Sequence, residues 1–229
     1  MSTFALVHGA WHGAWCWERL TPELEARGHR VVAPDLPSDD PAATFIDYAD
    51  VVVDALGRED NVVLVGHSLA GNTVPLVAAR RPVSRLVYLC AVVPIPGRSF
   101  DEQTKIEPDT FVRGYQAGLT ADELGRTRWT DEALACETFY ADCDERDARR
   151  AFERLRPQAT TPYDVPCPID AFPPAPSTYV VCSEDRIINP DWSRRVAPER
   201  LDAELVELPG SHSPFLSRPA ALAEVLCAS

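Results

Sequence analysis

A serine stands where an apolar run of the sequence gives way to a helical pattern. The apolar stretch 62–65 leads directly into G-H-S-L-A-G, with Ser68 at its centre. A serine at the tip of a tight strand-to-helix turn can act as a nucleophile, because small neighbours relieve the strained backbone and helix N–H groups face the developing negative charge. The second glycine of the usual G-x-S-x-G pattern is replaced by Ala70, with Gly71 one position later. A serine that merely caps the helix is the structural alternative.

A glycine-rich loop after the first predicted strand is the second chemical feature of the sequence. An acyl-transfer serine needs two N–H donors for its oxyanion, and the residue after the nucleophile, Leu69, supplies one of them. The loop after an early strand supplies the other, which here falls at Ala10. His8 and His12 are four residues apart, but they lie on this loop without the H-E-x-x-H pattern of a helical metal site. We therefore expect no metal ion and no other cofactor.

A serine nucleophile also requires a base and an acid that orients the base. Of the five histidines, only His212 follows the last predicted strands. The preceding strand ends in V-V-C-S-E-D, which offers Glu184 and Asp185 as the acid. His212 alone could be a surface histidine and Asp185 alone a turn residue, but a serine, an acid and a base each follow a strand in this order. The order predicts Ser68 as the nucleophile, His212 as the base and one of the two carboxylates as the acid.

Aromatic side chains near these segments could line a pocket for the acyl or alcohol group of a substrate. Packing of one part of the chain onto another is the structural alternative. As substrate-binding residues we predict Trp11, His12, Trp129 and Phe215.

The elements that must position these residues follow from the apolar pattern. Short apolar runs predict strands at Phe4–His8, Arg30–Pro34, Asn61–Val65, Arg85–Val92, Thr178–Cys182 and Glu204–Leu208. Helical spacing predicts helices at Trp15–Arg27, Phe45–Leu56, Leu69–Arg80 and Pro214–Leu226. Continuous apolar strands that alternate with helices indicate a mostly parallel sheet covered on both faces, which is a doubly wound α/β core.

The strand–helix alternation is interrupted in the middle of the chain. Residues 97–156 are rich in charged residues and helix formers, and a proline-dense passage, which we expect to lack regular structure, follows from Pro157 to Pro176. We expect a core of residues 1–96 and 171–229, with residues 97–170 inserted as a helical cap and proline-rich return. Such an insertion lies over the carboxyl ends of the strands, where ligands bind.

Composition restricts the class of protein and its partners. The 229 residues fit one domain, and 22 Lys and Arg against 35 Asp and Glu give a net charge of −13. This acidity argues against nucleic acid and anionic membranes as partners. Seven cysteines without C-x-x-C spacing, no secretory signal pattern and no long apolar run predict a cytoplasmic protein with reduced thiols. The single lysine, Lys105, beside abundant Arg, Ala and Pro favours a bacterial source.

Four segments together resemble the α/β-hydrolase superfamily, and within it the branch of plant methylesterases and hydroxynitrile lyases with their bacterial esterase relatives. They are F-A-L-V-H-G-A-W-H-G-A-W-C-W, G-H-S-L-A-G, S-E-D-R and G-S-H-S-P-F. The resemblance spans essentially the whole chain and implies an α/β-hydrolase fold with a helical cap over the serine. It also implies that Asp185 rather than Glu184 is the catalytic acid, and that the protein can form a homodimer.

The same resemblance separates esterases from lyases. The lyases of this branch carry a threonine directly after the first-strand histidine and a lysine directly after the catalytic histidine, whereas this chain has Gly9 and Ser213 there. We therefore expect a serine hydrolase that cleaves a small, partly apolar ester through an acyl-enzyme. A lactonase, a thioesterase and a C–C bond hydrolase or lyase remain as alternatives on the same residues. A binding protein that only holds a small ligand is the alternative outside enzymes, and the intact Ser68, His212 and Asp185 set counts against it.

Overall fold

A six-stranded parallel sheet forms the centre of the computed structural model, which describes residues 1–228. In chain order the strands are β1 (Thr3–Val7), β2 (Arg30–Val32), β3 (Val62–His67), β4 (Arg85–Leu89), β5 (Leu119–Ala121), β6 (Thr127–Trp129), β7 (Ser177–Cys182) and β8 (Glu204–Leu208). The sheet has the order β2-β1-β3-β4-β7-β8, and each neighbouring pair is parallel. β5 and β6 form a separate antiparallel hairpin. The predicted α/β class with a mostly parallel sheet is confirmed.

Helices cover both faces of this sheet. In chain order they are α1 (Leu20–Glu25), α2 (Phe45–Leu56), α3 (Val74–Ala78), α4 (Phe100–Ile106), α5 (Glu132–Phe139), α6 (Glu145–Phe152), α7 (Thr161–Asp164), α8 (Pro190–Leu201), α9 (Pro214–Ser217) and α10 (Pro219–Cys227). α1 packs against α10 and α2 packs against α3. Because right-handed crossovers run in opposite directions from β1, these two pairs lie on opposite faces. None of the helices within residues 1–228 combines the length and the apolar character that a membrane crossing requires.

The central strands are apolar throughout because helices bury both of their faces. β1, β3 and β4 are buried along their whole length, whereas the edge strands β2 and β8 are partly exposed. α2 has the predicted bounds: Thr44 caps its first turn in a reciprocal pair with Asp47. Gly57, with a φ of 48°, ends it.

Several predicted elements end earlier or are divided, each for a local reason. The helix predicted from Leu69 consists of a 3-10 helix, Ser68–Asn72, followed by α3. The predicted strand Arg85–Val92 ends at Leu89 because Cys90 adopts a φ of 45°, which a strand does not accommodate. The final predicted helix is divided at Arg218, since the proline that opens α10 has no N–H for a continuous helix.

The predicted helix Trp15–Arg27 is also divided, into a 3-10 turn at Ala14–Trp17 and the short helix α1. The proline-dense passage was expected to lack regular structure, and that expectation is wrong at one turn, α7. Pro162 lies in the first turn of α7, where a missing N–H has no helical partner to lose. Neither α8 nor the hairpin β5–β6 was predicted.

The order of the strands brings four loops to one edge of the sheet. From β1 the chain crosses to β2 on one side and then returns to β3 on the other side. The carboxyl ends of β1 and β3 therefore flank a point where the winding reverses, which is where open α/β sheets bind ligands. Ser68 directly follows β3 and His8 directly follows β1, while Asp185 and His212 lie in the loops after β7 and β8.

Candidate active site

Ser68 lies at a sharp turn between β3 and the 3-10 helix. Its φ of 54° is in the left-handed region, where a side chain other than glycine is strained, and such strain clusters at functional sites. A Cβ on Gly71 would lie 1.8 Å from the carbonyl oxygen of Val92, so the glycine is required there. Ala70 is buried with its methyl group accommodated. The glycine that the turn requires is thus at position 71 rather than at position 70, which accounts for the departure from the G-x-S-x-G pattern.

Asp185 holds the ring of His212 in one orientation. The Nδ1 of His212 donates to the Oδ2 of Asp185 over 2.8 Å, and both side chains are almost fully buried. Since the carboxylate accepts, Nδ1 carries the proton and Nε2 has the free lone pair that a general base needs. The other carboxylate oxygen accepts from the N–H groups of Ile187 and Ile188 at 2.7 and 3.1 Å. Glu184 is exposed, so the acid that contacts His212 is Asp185.

The free nitrogen of His212 completes this arrangement. Nε2 is buried and makes no hydrogen bond within residues 1–228, which includes the Ser68 hydroxyl. Catalytic hydrogen bonds are often long without substrate and tighten in the complex. The arrangement provides an oriented imidazole whose Nε2 makes no other hydrogen bond within residues 1–228.

Two main-chain N–H groups can stabilise negative charge beside the serine. Ala10 and Leu69 line the same cavity as Ser68. Leu69 is the second residue of the 3-10 helix, where N–H groups have no helical acceptor. The Ala10 N–H donates to no other group in the described part of the chain. A Cβ on Gly9 would lie 2.7 Å from the Cβ of Ser68, so the loop after β1 passes directly against the nucleophile.

His8 and His12 fix this loop from both sides. His8 accepts from the Leu36 N–H at Nε2 over 3.0 Å, so its Nδ1 donates to the Gly9 carbonyl over 2.9 Å. That bond orients the peptide unit whose N–H belongs to Ala10. His12 donates from Nδ1 to the Ala10 carbonyl over 2.9 Å and accepts from the Tyr140 hydroxyl at Nε2 over 2.8 Å.

Burial keeps both of these histidines neutral. It lowers the pKa of His8 to about 4, against the opposing effect of the Gly9 carbonyl. It lowers the pKa of His12 to about 3, where the Ala10 carbonyl acts in the opposite sense. Both rings therefore serve as uncharged hydrogen-bonding groups at neutral pH.

His67 connects the turn that carries Ser68 to the loop that carries His212. Its Nε2 donates to the main-chain carbonyl of His212 over 2.9 Å, and the two ring centroids are 4.5 Å apart. Burial lowers the pKa of His67 well below its usual range, so this ring is also neutral. The sequence pattern identified His67 only as a neighbour of the serine, and no spacing signal indicated its contact with His212.

A cavity of about 200 Å³ opens onto Ser68. Of the four predicted substrate-binding residues, only Trp11 lines it. The inserted segment supplies much of the remaining wall: Phe100, Asp101, Thr104, Phe111, Tyr115, Gln116, Leu119, Thr127 and Tyr163. The sequence held no motif for these residues, because their positions depend on how the inserted segment packs over the strand ends.

The other three predicted substrate-binding residues lie behind the wall. His12 is fully buried and both of its ring nitrogens are bonded. Trp129 packs edge-on against Trp11 at 6.0 Å between ring centroids. Phe215 is fully buried against Trp17 and His67 at 4.9 and 4.8 Å. These three rings pack behind the cavity wall and do not line it, so the structure does not place them at the cavity, where the prediction of substrate binding had put them.

One further buried group lies beside Asp185 and His212. The Sγ of Cys90 is within 4.8 Å of ligand atoms of both Asp185 and His212, the one such metal-competent grouping within residues 1–228. Two of its three members are already bonded to each other, so a metal ion would displace the orienting bond of the base. Burial raises the pKa of the Cys90 thiol well above its usual range, which leaves it protonated.

The chain is similar to known hydrolases along its whole length. A model of the alpha/beta hydrolase family matches residues 4–225. The chain is 34% identical to a pyrethroid hydrolase of Sphingobium wenxiniae, with 96% of this chain and 85% of that protein covered. It is 29% identical to methylesterase 2 of Arabidopsis thaliana, with 98% and 94% covered.

A solved structure of a hydrolase is also similar to this chain. The crystal structure of a pyrethroid hydrolase from Sphingobium faniae JZ-2 matches with a TM-score of 0.79 at 27% identity, with 99% of this chain and 96% of that chain covered. The predicted resemblance to the methylesterase branch and its bacterial relatives is confirmed by these matches. From the matched family model and from the fold, the chain belongs to the alpha/beta hydrolase family.

Proposed function

We propose that the protein is a serine hydrolase that cleaves a small, partly apolar carboxylic ester through an acyl-enzyme intermediate. The observation that carries this proposal is the oriented His212, bonded to Asp185 over 2.8 Å, at the edge of the sheet where Ser68 opens onto a mostly apolar cavity. Similarity to a pyrethroid hydrolase and to a methylesterase supports ester hydrolysis as the reaction.

In the first half-reaction, Ser68 Oγ attacks the ester carbonyl while His212 Nε2 takes the hydroxyl proton. The carbonyl oxygen becomes an oxyanion, which accepts hydrogen bonds from the N–H groups of Ala10 and Leu69. One such donor is worth roughly 3–4 kcal/mol of transition-state stabilisation in other hydrolases. Asp185 stabilises the imidazolium that has formed. The intermediate then collapses, the C–O bond to the alcohol breaks, and His212 returns the proton to the leaving alkoxide.

In the second half-reaction, water attacks the acyl-enzyme. His212 Nε2 takes a proton from this water, and the same two N–H groups stabilise the second oxyanion. Collapse breaks the bond between the acyl carbon and Ser68 Oγ, which recovers its proton from His212. The acid leaves, and the three side chains are in their starting state.

Lactones and thioesters can be cleaved by the same residues, whereas the structure gives less support to the lyase alternative. A threonine at position 9 would bring its Cβ to 2.7 Å from the Cβ of Ser68, so the close approach made by Gly9 would be lost. Ser213, at the position of the lyase lysine, is neutral and fully buried. The cavity wall contains neither lysine nor arginine that could hold a leaving anion. The binding-protein alternative gives no reason for the free Nε2 of His212.

Hydrolysis of simple esters tests this proposal. Purified protein would be given p-nitrophenyl acetate and a series of small methyl esters, with the released phenol or acid measured directly. We expect turnover by the wild type and a loss of about a millionfold in kcat for Ser68→Ala. Full activity in a folded Ser68→Ala variant would remove Ser68 as the nucleophile. No turnover by folded wild type on any ester would favour the lyase or the binding protein.

We further infer that residues 97–170 act as a cap on a core of residues 1–96 and 171–229. The support is the cavity wall, to which this segment contributes side chains from 100 to 127 and Tyr163. A cap in this position determines which acyl and alcohol groups reach Ser68. Exchange of the segment with that of a related esterase should change the ester preference and leave the labelling of Ser68 intact.

A cytoplasmic location is also proposed. All seven cysteines are free thiols, which suits a reducing compartment. A bacterial source and a homodimer are proposed on the composition and on the resemblance respectively. Fractionation of the source cells and the mass of the purified protein in solution test the location and the dimer.

A further inference from the structure

The part of the cavity wall that the inserted segment supplies contains four aromatic rings in contact with one another. Phe100 packs against Tyr163 and Phe111 at 4.9 and 5.9 Å between centroids, and Phe111 stacks on Tyr115 at 4.7 Å. All four residues line the cavity. The face of an aromatic ring carries negative electrostatic potential, so a group of rings around a cavity attracts cations.

A carboxylate belongs to the same wall. Asp101 follows Phe100 on α4, and the wall contains no other carboxylate and no lysine, arginine or histidine. Burial and the neighbouring carboxyl of Asp164, which shares a hydrogen bond with Asp101, raise the pKa of Asp101, and Lys105 acts weakly in the opposite direction. A cation bound in the cavity would favour the charged form of Asp101, which burial and Asp164 disfavour.

Among residues 1–228, no cation–π contact is made to these four rings. Within residues 1–228 the cation–π contact is Arg154 over Trp15, at 4.7 Å and outside this cavity. Lys105 lies one turn after Asp101 but is exposed and does not line the wall. Within residues 1–228 the four rings therefore line the cavity without a cation over them, and Lys105, the cation that acts on Asp101, is exposed and lies outside the wall.

We propose that Asp101, Phe100, Phe111, Tyr115 and Tyr163 form a cation subsite, and that the substrate is an ester which carries an ammonium or quaternary ammonium group. This inference rests on the proposed ester hydrolysis and specifies its substrate class. The rings bind the alkyl groups of the cation and its charge together, while Asp101 supplies the opposite formal charge. Anionic esters are disfavoured by the same carboxylate.

An isosteric pair of esters tests the subsite. Acetylcholine, the acetate ester of choline, and the acetate of 3,3-dimethylbutan-1-ol have nearly the same shape and differ in one positive charge. We expect the wild type to hydrolyse the cationic ester with a kcat/KM about tenfold higher. The ratio should fall several-fold in Asp101→Asn, where only the rings still favour the cation, and keep its wild-type value in Asp109→Asn, a control whose exposed carboxylate pairs with Arg195 outside the cavity.

A binding measurement separates failure of this inference from failure of the proposed function. Calorimetry with benzyltrimethylammonium on Ser68→Ala, with and without Asp101→Asn, needs no hydrolysis. If benzyltrimethylammonium binds to Ser68→Ala and binds several-fold more weakly when Asp101→Asn is added, the subsite is supported even when neither ester is cleaved. Equal kcat/KM for the two esters in the wild type, or a preference and an affinity that Asp101→Asn leaves unchanged, would overturn it.

Discussion

The side chain of His67 and the main chain of His212 are joined by a hydrogen bond of 2.9 Å, although 145 residues separate them in the sequence. His67 directly precedes Ser68, so one residue connects the turn that carries Ser68 to the loop that carries His212. Asp185 fixes the ring of His212 from the other side, at Nδ1. The free Nε2 is therefore held by two independent contacts, one to the ring and one to the backbone.

Loss of the His67 donor should lower the rate of the chemical step. His67→Phe keeps an aromatic ring of similar size but cannot donate to the His212 carbonyl. A lost buried hydrogen bond of about 1–3 kcal/mol corresponds to a fall in kcat of about tenfold to a hundredfold. KM should change little, because His67 does not line the cavity. Steady-state kinetics with p-nitrophenyl acetate measure both constants.

His67→Gln is the matched control for that change. Its amide N–H can donate to the same carbonyl, so we expect it to recover most of the lost kcat. Thermal unfolding of both variants separates an effect on the site from a loss of folding. Wild-type kcat in a folded His67→Phe variant would show that the bond does not position the base.

The close approach of the loop after β1 to Ser68 should make Gly9 sensitive to a single methyl group. The Cβ of Gly9→Ala would lie 2.7 Å from the Cβ of Ser68, so the loop must move and carry the Ala10 N–H with it. Loss of one oxyanion donor lowers kcat by about a hundredfold or more. Gly13→Ala is the control in the same loop, since its Cβ would meet the tip of the Asp35 side chain. Equal kcat in the two variants would contradict this view of the loop.

The neighbouring carboxylates Glu184 and Asp185 should differ sharply in their effect on activity. Asp185→Asn can donate to Nδ1 of His212, which favours the ring form without a lone pair at Nε2. In a related constellation this change lowers kcat by about ten-thousandfold. Glu184 is exposed, so Glu184→Gln should retain wild-type kcat. Comparable losses from the two substitutions would mean that the acid is misassigned.

Buried histidines should make the protein less stable in mild acid. A histidine of the unfolded chain has a pKa near 6.5, while burial lowers the pKa of His8 to about 4 and of His12 to about 3. The unfolded state therefore binds more protons below pH 6.5. The stability that these neutral rings contribute is complete above the unfolded pKa and is lost as the pH falls toward the folded values.

Urea unfolding between pH 6.5 and pH 4.5 measures this loss. Each fully buried neutral histidine should lower the free energy of unfolding by about 1.4 kcal/mol per pH unit well below its unfolded pKa. His12→Gln removes one such group, so the variant should show a shallower dependence on pH, whatever its absolute stability. Parallel slopes for the wild type and His12→Gln would show that His12 does not titrate in this window.

The fold could be predicted from the sequence, and the structure brings the predicted site residues to one edge of the sheet, because both depend on local signals. β1, β3 and β4 are continuous apolar runs, since both faces of a parallel sheet are buried. Ser68, Asp185 and His212 each follow a strand, and the carboxyl ends of parallel strands meet at one edge. Residues that follow different strands of the parallel sheet are therefore close together in space.

The remainder depends on packing that no local pattern encodes. β5 and β6 have three residues each, too short for alternation to be recognised, and their turn depends on Asp122, which accepts from the N–H groups of Leu124 and Arg126. Trp129 and Phe215 are apolar residues whether their side chains line a cavity or pack in the core, so the sequence pattern does not distinguish these two positions. Only the packing of the inserted segment decides that Phe100 and Asp101 line the cavity while Trp129 packs against Trp11 behind it.

Intact mass after incubation with a fluorophosphonate tests the central claim, that Ser68 is the activated nucleophile. The wild type should gain the mass of one adduct, located by peptide mapping to Ser68, and should lose turnover in proportion to labelling. Ser68→Ala should gain no adduct, and Asp185→Asn should label far more slowly than Glu184→Gln. An adduct on another residue, or a folded wild type that remains unlabelled while it hydrolyses esters, would contradict the account.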